Sequence, residues 1–134
     1  MSSTPGVDIV IAEDSRIQAE ILERRLTEAG HRVRWGADGQ AALDLVRDQA
    51  PAIIVSDIEM PGLSGFDLAH ELRQTDAYRN VPLIALSSHA SPKDMERARD
   101  HGFDEYVTKL DPKALLGMLS KVLSSPDTRS EEAA

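Results

Sequence analysis

The stretch Val7-Asp8-Ile9-Val10-Ile11-Ala12-Glu13-Asp14-Ser15 is a short apolar, β-branched run that halts on two acids and a helix-capping serine. A second run, Ala52-Ile53-Ile54-Val55-Ser56, halts on Asp57 in the same way. If the two runs are neighbouring parallel strands, Glu13, Asp14 and Asp57 converge at one edge of the sheet. Three carboxylates gathered there favour a hard divalent cation and an activated aspartate.

Working outward, apolar runs of strand length alternate five times with segments of helical period. That alternation predicts an α/β domain, a parallel sheet with helices on both faces. The expected strands are Asp8 to Ala12, Arg32 to Trp35, Ala52 to Ser56, Leu83 to Ser87 and Glu105 to Thr108. The first helix is expected to be capped by Ser15, with Gln18 at capping-box spacing, an inward stripe of Ile17, Ile21, Leu22 and Leu26, and Gly30 as its stop. The second, from about Gly39 to Gln49, turns Ala42, Leu43 and Val46 inward and is ended by Pro51. The third starts at Ser64 and carries Phe66, Leu68, Ala69 and Leu72. Ser91 caps the fourth, with Pro92 at its first position and only Met95 and Ala98 as core residues. The fifth, opened by Asp111-Pro112, is the most apolar, with Leu115, Leu116, Leu119, Val122 and Leu123.

A chain of 134 residues, 41% hydrophobic and 28% charged, has the length for one domain with one core. The net charge of -8 argues against direct nucleic-acid binding, which depends on Lys and Arg neutralising phosphates. With no cysteine, disulfides and thiolate metal sites are excluded and nothing calls for an oxidising compartment. No run approaches the ~20 apolar residues of a membrane span, and no secretory signal opens the chain, so the cytoplasm is expected. Residues 124–134 lack an apolar period and are expected to be a disordered tail or linker stub after a domain of residues 7–123.

In an open parallel sheet, ligands bind beyond the carboxyl ends of the strands, where this chain carries Glu13, Asp14, Asp57, Ser87 and Lys109. Four runs stand in order: Glu13-Asp14-Ser15, Ser56-Asp57-Ile58-Glu59-Met60-Pro61-Gly62-Leu63-Ser64-Gly65, Ile84-Ala85-Leu86-Ser87-Ser88 and Tyr106-Val107-Thr108-Lys109. Together they resemble the response-regulator receiver domain of two-component signalling, over about Val7 to Leu123. The resemblance implies a flavodoxin-like, doubly wound (βα)5 fold with strand order 2-1-3-4-5. It also implies roles: Asp57 as phosphoacceptor, Asp14 and Asp57 as direct ligands of one Mg²⁺, Glu13 acting on the ion through water, and the Glu59 backbone carbonyl as a further ligand. Ser87 becomes the switch hydroxyl, Lys109 the cation for the phosphoryl group, and Tyr106 the switch aromatic. The backbone amides of Ile58 and Ser88 complete the phosphoryl cradle, and Glu59 and His89 tune the lifetime of the phosphoryl group.

These roles have physical reasons. A carboxylate that takes a phosphoryl group from a phosphohistidine meets anion–anion repulsion, which a divalent cation, an ammonium and a hydroxyl donor offset. The implied output is a population shift: the loop into the fourth helix moves and Tyr106 turns inward. A thinly packed fourth helix suits that role. The implied partners are a histidine kinase or phosphotransfer domain on the input side, and a protein met by the fourth helix, fifth strand and fifth helix on the output side. Such a domain is not an enzyme beyond catalysing its own Asp phosphorylation and dephosphorylation. More softly, Ser56 to Gly62 with Thr108 to Leu116 is similar to receivers of chemotaxis-type hybrid histidine kinases and chemotaxis coupling proteins. No DNA-binding effector is expected after the domain.

One departure from the family pattern stands out: Leu110 follows Lys109, where most members have a cis proline. This altered loop is the sequence feature behind an alternative reading, a receiver-like docking module that is never phosphorylated. A haloacid-dehalogenase-type phosphatase is disfavoured because Asp57-Ile58-Glu59 lacks the Asp-x-Asp pattern. A flavodoxin-type cofactor binder is disfavoured because Glu13-Asp14, not a glycine-rich loop, follows the first strand. His31, His70, His89 and His101 have no metal-site spacing and read as surface residues, and Trp35 reads as a structural residue ending the second strand.

Overall fold

The computed structural model describes residues 6–88, 91–109 and 112–124. Its strands are β1 (Asp8–Ala12), β2 (Arg32–Gly36), β3 (Ile53–Asp57), β4 (Leu83–Ser87) and β5 (Glu105–Thr108). The helices are α1 (Arg16–Glu28), α2 (Gly39–Asp48), α3 (Gly65–Gln74), α4 (Pro92–Asp100) and α5 (Pro112–Ser124), with a short 3₁₀ turn at Asp76–Tyr78. All strand pairs are parallel, in the order β2-β1-β3-β4-β5. The expected α/β architecture and strand order are thus those of the structure.

Strand side chains alternate between the two faces of the sheet, and the core divides accordingly. Val10, Ala12, Ile54, Leu83 and Ala85 face Ala42, Leu43 and Val46 of α2, Leu68, Ala69 and Leu72 of α3 and Ala98 of α4. Ile9, Ile11, Ile53, Val55, Ile84, Leu86 and Val107 face Leu22 and Leu26 of α1 and Leu115 and Leu119 of α5. Burying each such Ile or Leu stabilises the fold by about 1.5–3 kcal/mol. Strands β1, β3 and β4 are covered on both sides, which explains why they read as continuous apolar runs.

Local chemistry sets the helix ends. Ser15, Ser64 and Ser91 each accept the backbone N–H three residues on, and at Ser64 the Asp67 carboxylate returns the bond as a full capping box. Gly30 closes α1 with a φ of 97°, a conformation that costs little only for glycine.

Three sequence expectations need correction. On α1 the inward stripe is Ala19, Leu22 and Leu26, while Ile17 is 70% and Ile21 44% exposed. On α4, Met95 is 39% exposed and Ala98 alone is buried. His31 is half-buried rather than on the surface: its Nδ1 accepts the Val7 N–H at 3.2 Å, and burial lowers its pKa. Of the tail expected over 124–134, Ser124 is the last residue of α5 and 125–134 lie outside the described residues.

Candidate functional site

The order of the parallel strands reverses between β1 and β3, the chain stepping from β1 to β2 on one side and from β3 to β4 and β5 on the other, so a crevice opens at their carboxyl ends. Register brings the ends level there: Ala12 pairs with Ser56, Asp57 with Leu86 and Ser87 with Thr108. Glu13 and Asp14 follow β1, Asp57 and Ser87 are the last residues of β3 and β4, and Lys109 follows β5. Gly65 permits the next step of the chain, because a Cβ on it would lie 2.3 Å from the Asp57 carbonyl oxygen. Glycine there lets α3 begin directly against the end of β3.

Glu13 is fully buried (0% exposed), Asp57 is 4% exposed, and Asp14 lies at the exposed mouth. Carboxylate oxygens of these three lie within 4.8 Å of one another. The Lys109 ammonium sits between two of them, with Nζ 2.8 Å from Asp57 Oδ2 and 3.1 Å from Glu13 Oε1. Asp57 Oδ1 accepts the Glu59 N–H at 3.2 Å, and Glu13 Oε2 accepts the Ser15 N–H at 3.0 Å. Lys109 is itself anchored by its backbone N–H, which donates to the Ser87 carbonyl at 2.9 Å.

Electrostatics follow from this packing. Burial raises the Glu13 pKa, and the nearby Asp57 charge adds to that, against the opposing pull of the Ser15 N–H and Lys109. For Lys109, burial acts downward, but the hydrogen bonds and charges of Asp57 and Glu13 together carry its pKa above the usual value. Glu13 is harder to ionise in the folded chain than in the unfolded one. Its contribution therefore favours folding below the reference value of 4.5 and is lost as pH rises through the raised value. Glu13→Gln, which keeps an acceptor but loses the charge, is expected to raise the melting temperature at neutral pH in EDTA. That gain shrinks as the pH is lowered toward 4.5, a trend read from melts across the interval.

The residues present fit a magnesium ion. The donor set is all oxygen, as a hard cation demands, and the exposed side at Asp14 leaves room for the waters that Mg²⁺ retains. Glu13 Oε1 is also buried with no hydrogen-bond partner among the described residues, although the Lys109 ammonium lies 3.1 Å away, so it keeps an unused acceptor.

Beyond the acids, a cavity of about 690 Å³ is lined by Asp14, Met60, Phe66, Ser87, Arg97 and Tyr106, among others. Tyr106 also borders a second, smaller hollow with Met95, Ala98 and Phe103. Across the main cavity the Arg97 guanidinium lies 4.6 Å over the Phe66 ring, joining α4 to α3.

Of the sequence-predicted set, Glu13, Asp14, Asp57 and Lys109 form one cluster, and Asp14 and Ser87 share a cavity wall. The Ile58 N–H departs from expectation. It donates to the Leu86 carbonyl at 3.3 Å, while the amide that reaches the Asp57 carboxylate is that of Glu59. His89 and the Lys109–Leu110 linkage lie outside the described residues.

The chain belongs to the response regulator receiver domain family, which it matches over residues 9–120. It is 40% identical over 102 residues to the gliding motility regulatory protein of Myxococcus xanthus, a match covering 75% of this chain and 13% of that protein. With the transcriptional regulatory protein AfsQ1 of Streptomyces coelicolor it shares 32% identity over 127 residues, covering 94% of this chain and 55% of that protein. The chain therefore spans only part of the length of either relative. Among solved structures it is similar to the receiver domain of the sensor histidine kinase PA1611 of Pseudomonas aeruginosa, at 30% identity and a TM-score of 0.82, covering 90% of this chain and 99% of that one. That structure has a magnesium ion coordinated in its active site cleft.

Proposed function

We propose that this chain is a phosphorylation-activated switch that accepts a phosphoryl group from a phosphohistidine onto Asp57 and passes the change in state to a protein partner. The observation that carries the reading is a nearly buried Asp57 held between an ammonium and two further carboxylates at the switch point of the sheet.

Asp14, Asp57 and Glu13 would hold one Mg²⁺, with the Glu59 carbonyl nearby. When bound, the ion offsets negative charge shared between carboxylate and phosphoryl oxygens. An Asp57 carboxylate oxygen attacks phosphorus, forming the O–P bond. The N–P bond breaks with its electron pair going to the donor imidazole, which then takes up a proton. Lys109, already at hydrogen-bond distance from Asp57 Oδ2, neutralises a phosphoryl oxygen, and the Ser87 hydroxyl donates to another. The Glu59 and Ser88 amides, rather than that of Ile58, complete the cradle.

Relay then follows from packing. Drawing Ser87 toward the phosphoryl group moves the segment into α4, a helix in which Ala98 is the one buried residue. Tyr106 borders both hollows, the larger of which also reaches Asp14 and Ser87. The face of α4, β5 and α5 is thereby the proposed output surface, and Glu59 and His89 the proposed lifetime-setting positions. A histidine kinase or phosphotransfer domain is the proposed donor. The likeness to a gliding motility regulatory protein favours a motility or chemotaxis-type pathway. Among the described residues no helix is long and apolar enough to cross a membrane, and a cysteine-free chain suits the cytoplasm.

The test is intact-mass measurement after incubation with a small phosphodonor such as phosphoramidate. One phosphoryl group per chain is expected with Mg²⁺ and none with excess EDTA. Absence of labelling under both conditions would remove the switch reading and leave the docking module.

A further inference from the structure

We propose that Trp35 is a positioning residue for the cation site. Its indole N–H fixes the plane of the Glu13–Asp14 peptide, and with it the direction in which Asp14 leaves the edge of β1. This inference rests on the Mg²⁺ reading above.

The geometry is a clamp across two strands. Trp35 pairs with Ile11 in the sheet, yet its side chain reaches ahead along the neighbouring strand, and Nε1 donates to the Glu13 carbonyl at 2.8 Å. The Glu13 N–H is held at the same time by the Gly36 carbonyl at 3.1 Å. Both backbone groups of Glu13 are thus fixed by consecutive residues of β2. The clamped carbonyl belongs to the peptide bond that leads into Asp14, so rotation of that peptide would break the indole bond and swing the Asp14 carboxylate away from Asp57.

Two further observations point to positioning rather than to packing. Trp35 is 37% exposed, so much of its ring adds nothing to the core, while the single polar atom of the indole is engaged. Among the described residues no side chain holds the Asp14 carboxylate, so its aim depends on its own backbone. A charged ligand at a cation site ordinarily needs an outer partner to orient it. Here a backbone clamp takes that place.

The experiment compares three forms of the full chain: native, Trp35→Phe, and native with Trp35 replaced by β-(3-benzothienyl)alanine. The last keeps the bicyclic shape but has sulfur where the N–H was. Mg²⁺ affinity is measured by titration calorimetry, and the melting temperature is measured in EDTA. Both altered forms are expected to bind Mg²⁺ about tenfold more weakly, as when an outer partner of a metal ligand is lost. The melting temperature of the benzothienyl form should stay near that of the native chain, a separation that a merely structural role would not produce. If the benzothienyl form binds Mg²⁺ as tightly as the native chain, the inference fails, whether or not Trp35→Phe folds and whatever the melting temperatures do. If the native chain itself binds no Mg²⁺, the cation reading fails first and takes this inference with it.

Discussion

Asp57→Asn is expected to abolish phosphoryl labelling while leaving a folded protein. The substitution keeps the shape of a side chain that is almost wholly enclosed, but exchanges the anionic nucleophile for a neutral amide. No other group in the cluster replaces it. Glu13 is deeper, its pKa is raised by burial, and Oε2 is occupied by the Ser15 N–H. Asp14 lies at the exposed mouth, away from the Lys109 ammonium that reaches Asp57 and Glu13. Intact-mass spectra of the native and variant chains after identical treatment with phosphoramidate and Mg²⁺ decide the matter. Undiminished labelling of the variant would move the acceptor to another residue. Circular dichroism before treatment separates loss of chemistry from loss of fold.

The fold was legible because its signals are local. Five β-branched runs between capped helices predict the layers, and Ser15, Ser64, Ser91 and Gly30 mark helix ends through bonds to backbone groups only three or four residues away. Strand ends slipped by one residue. Polar Asp57 and small Gly36 look like terminators, yet both still pair in the sheet, since pairing depends on the neighbouring strand and not on apolarity. The error on α1 has another cause. Ile17 and Ile21 are large and four apart, but the helix packs through Ala19, three and seven residues before Leu22 and Leu26 respectively, so side-chain size misled where angular position decides.

The acidic cluster was legible for the opposite reason. Its members lie far apart in the chain and give no local signal, but each stands at a strand end, and a parallel sheet gathers its carboxyl ends on one edge. What no pattern encodes is the direction of individual bonds at that edge. Whether the Ile58 or the Glu59 amide faces Asp57 depends on how the chain turns after β3. Trp35 reaches Glu13 across strands by a side-chain path that residue spacing does not reveal.

The second large effect concerns the ammonium. Lys109→Ala, measured in EDTA, is expected to destabilise the chain by about 3 kcal/mol, because removing one partner leaves buried carboxylates uncompensated. For a domain of this size that is a fall of roughly 10 °C in melting temperature. The sign with pH follows from the raised Lys109 pKa: the contribution is fully present below 10.5 and lost as pH rises through the higher folded-state value, so the whole deficit is present at neutral pH. Lowering the pH toward the raised Glu13 pKa protonates one of the stranded carboxyls and narrows the gap between variant and native. Millimolar Mg²⁺ should narrow it as well, since a divalent cation among Glu13, Asp14 and Asp57 supplies positive charge from the other side. Adding Asp57→Asn to Lys109→Ala removes one of the stranded charges and should restore part of the loss, giving a double-mutant coupling between two residues whose charged atoms lie 2.8 Å apart. Equal melting temperatures for native and Lys109→Ala in EDTA would mean that the carboxylates need no cation at all, and the case for magnesium at this edge would lose its electrostatic basis.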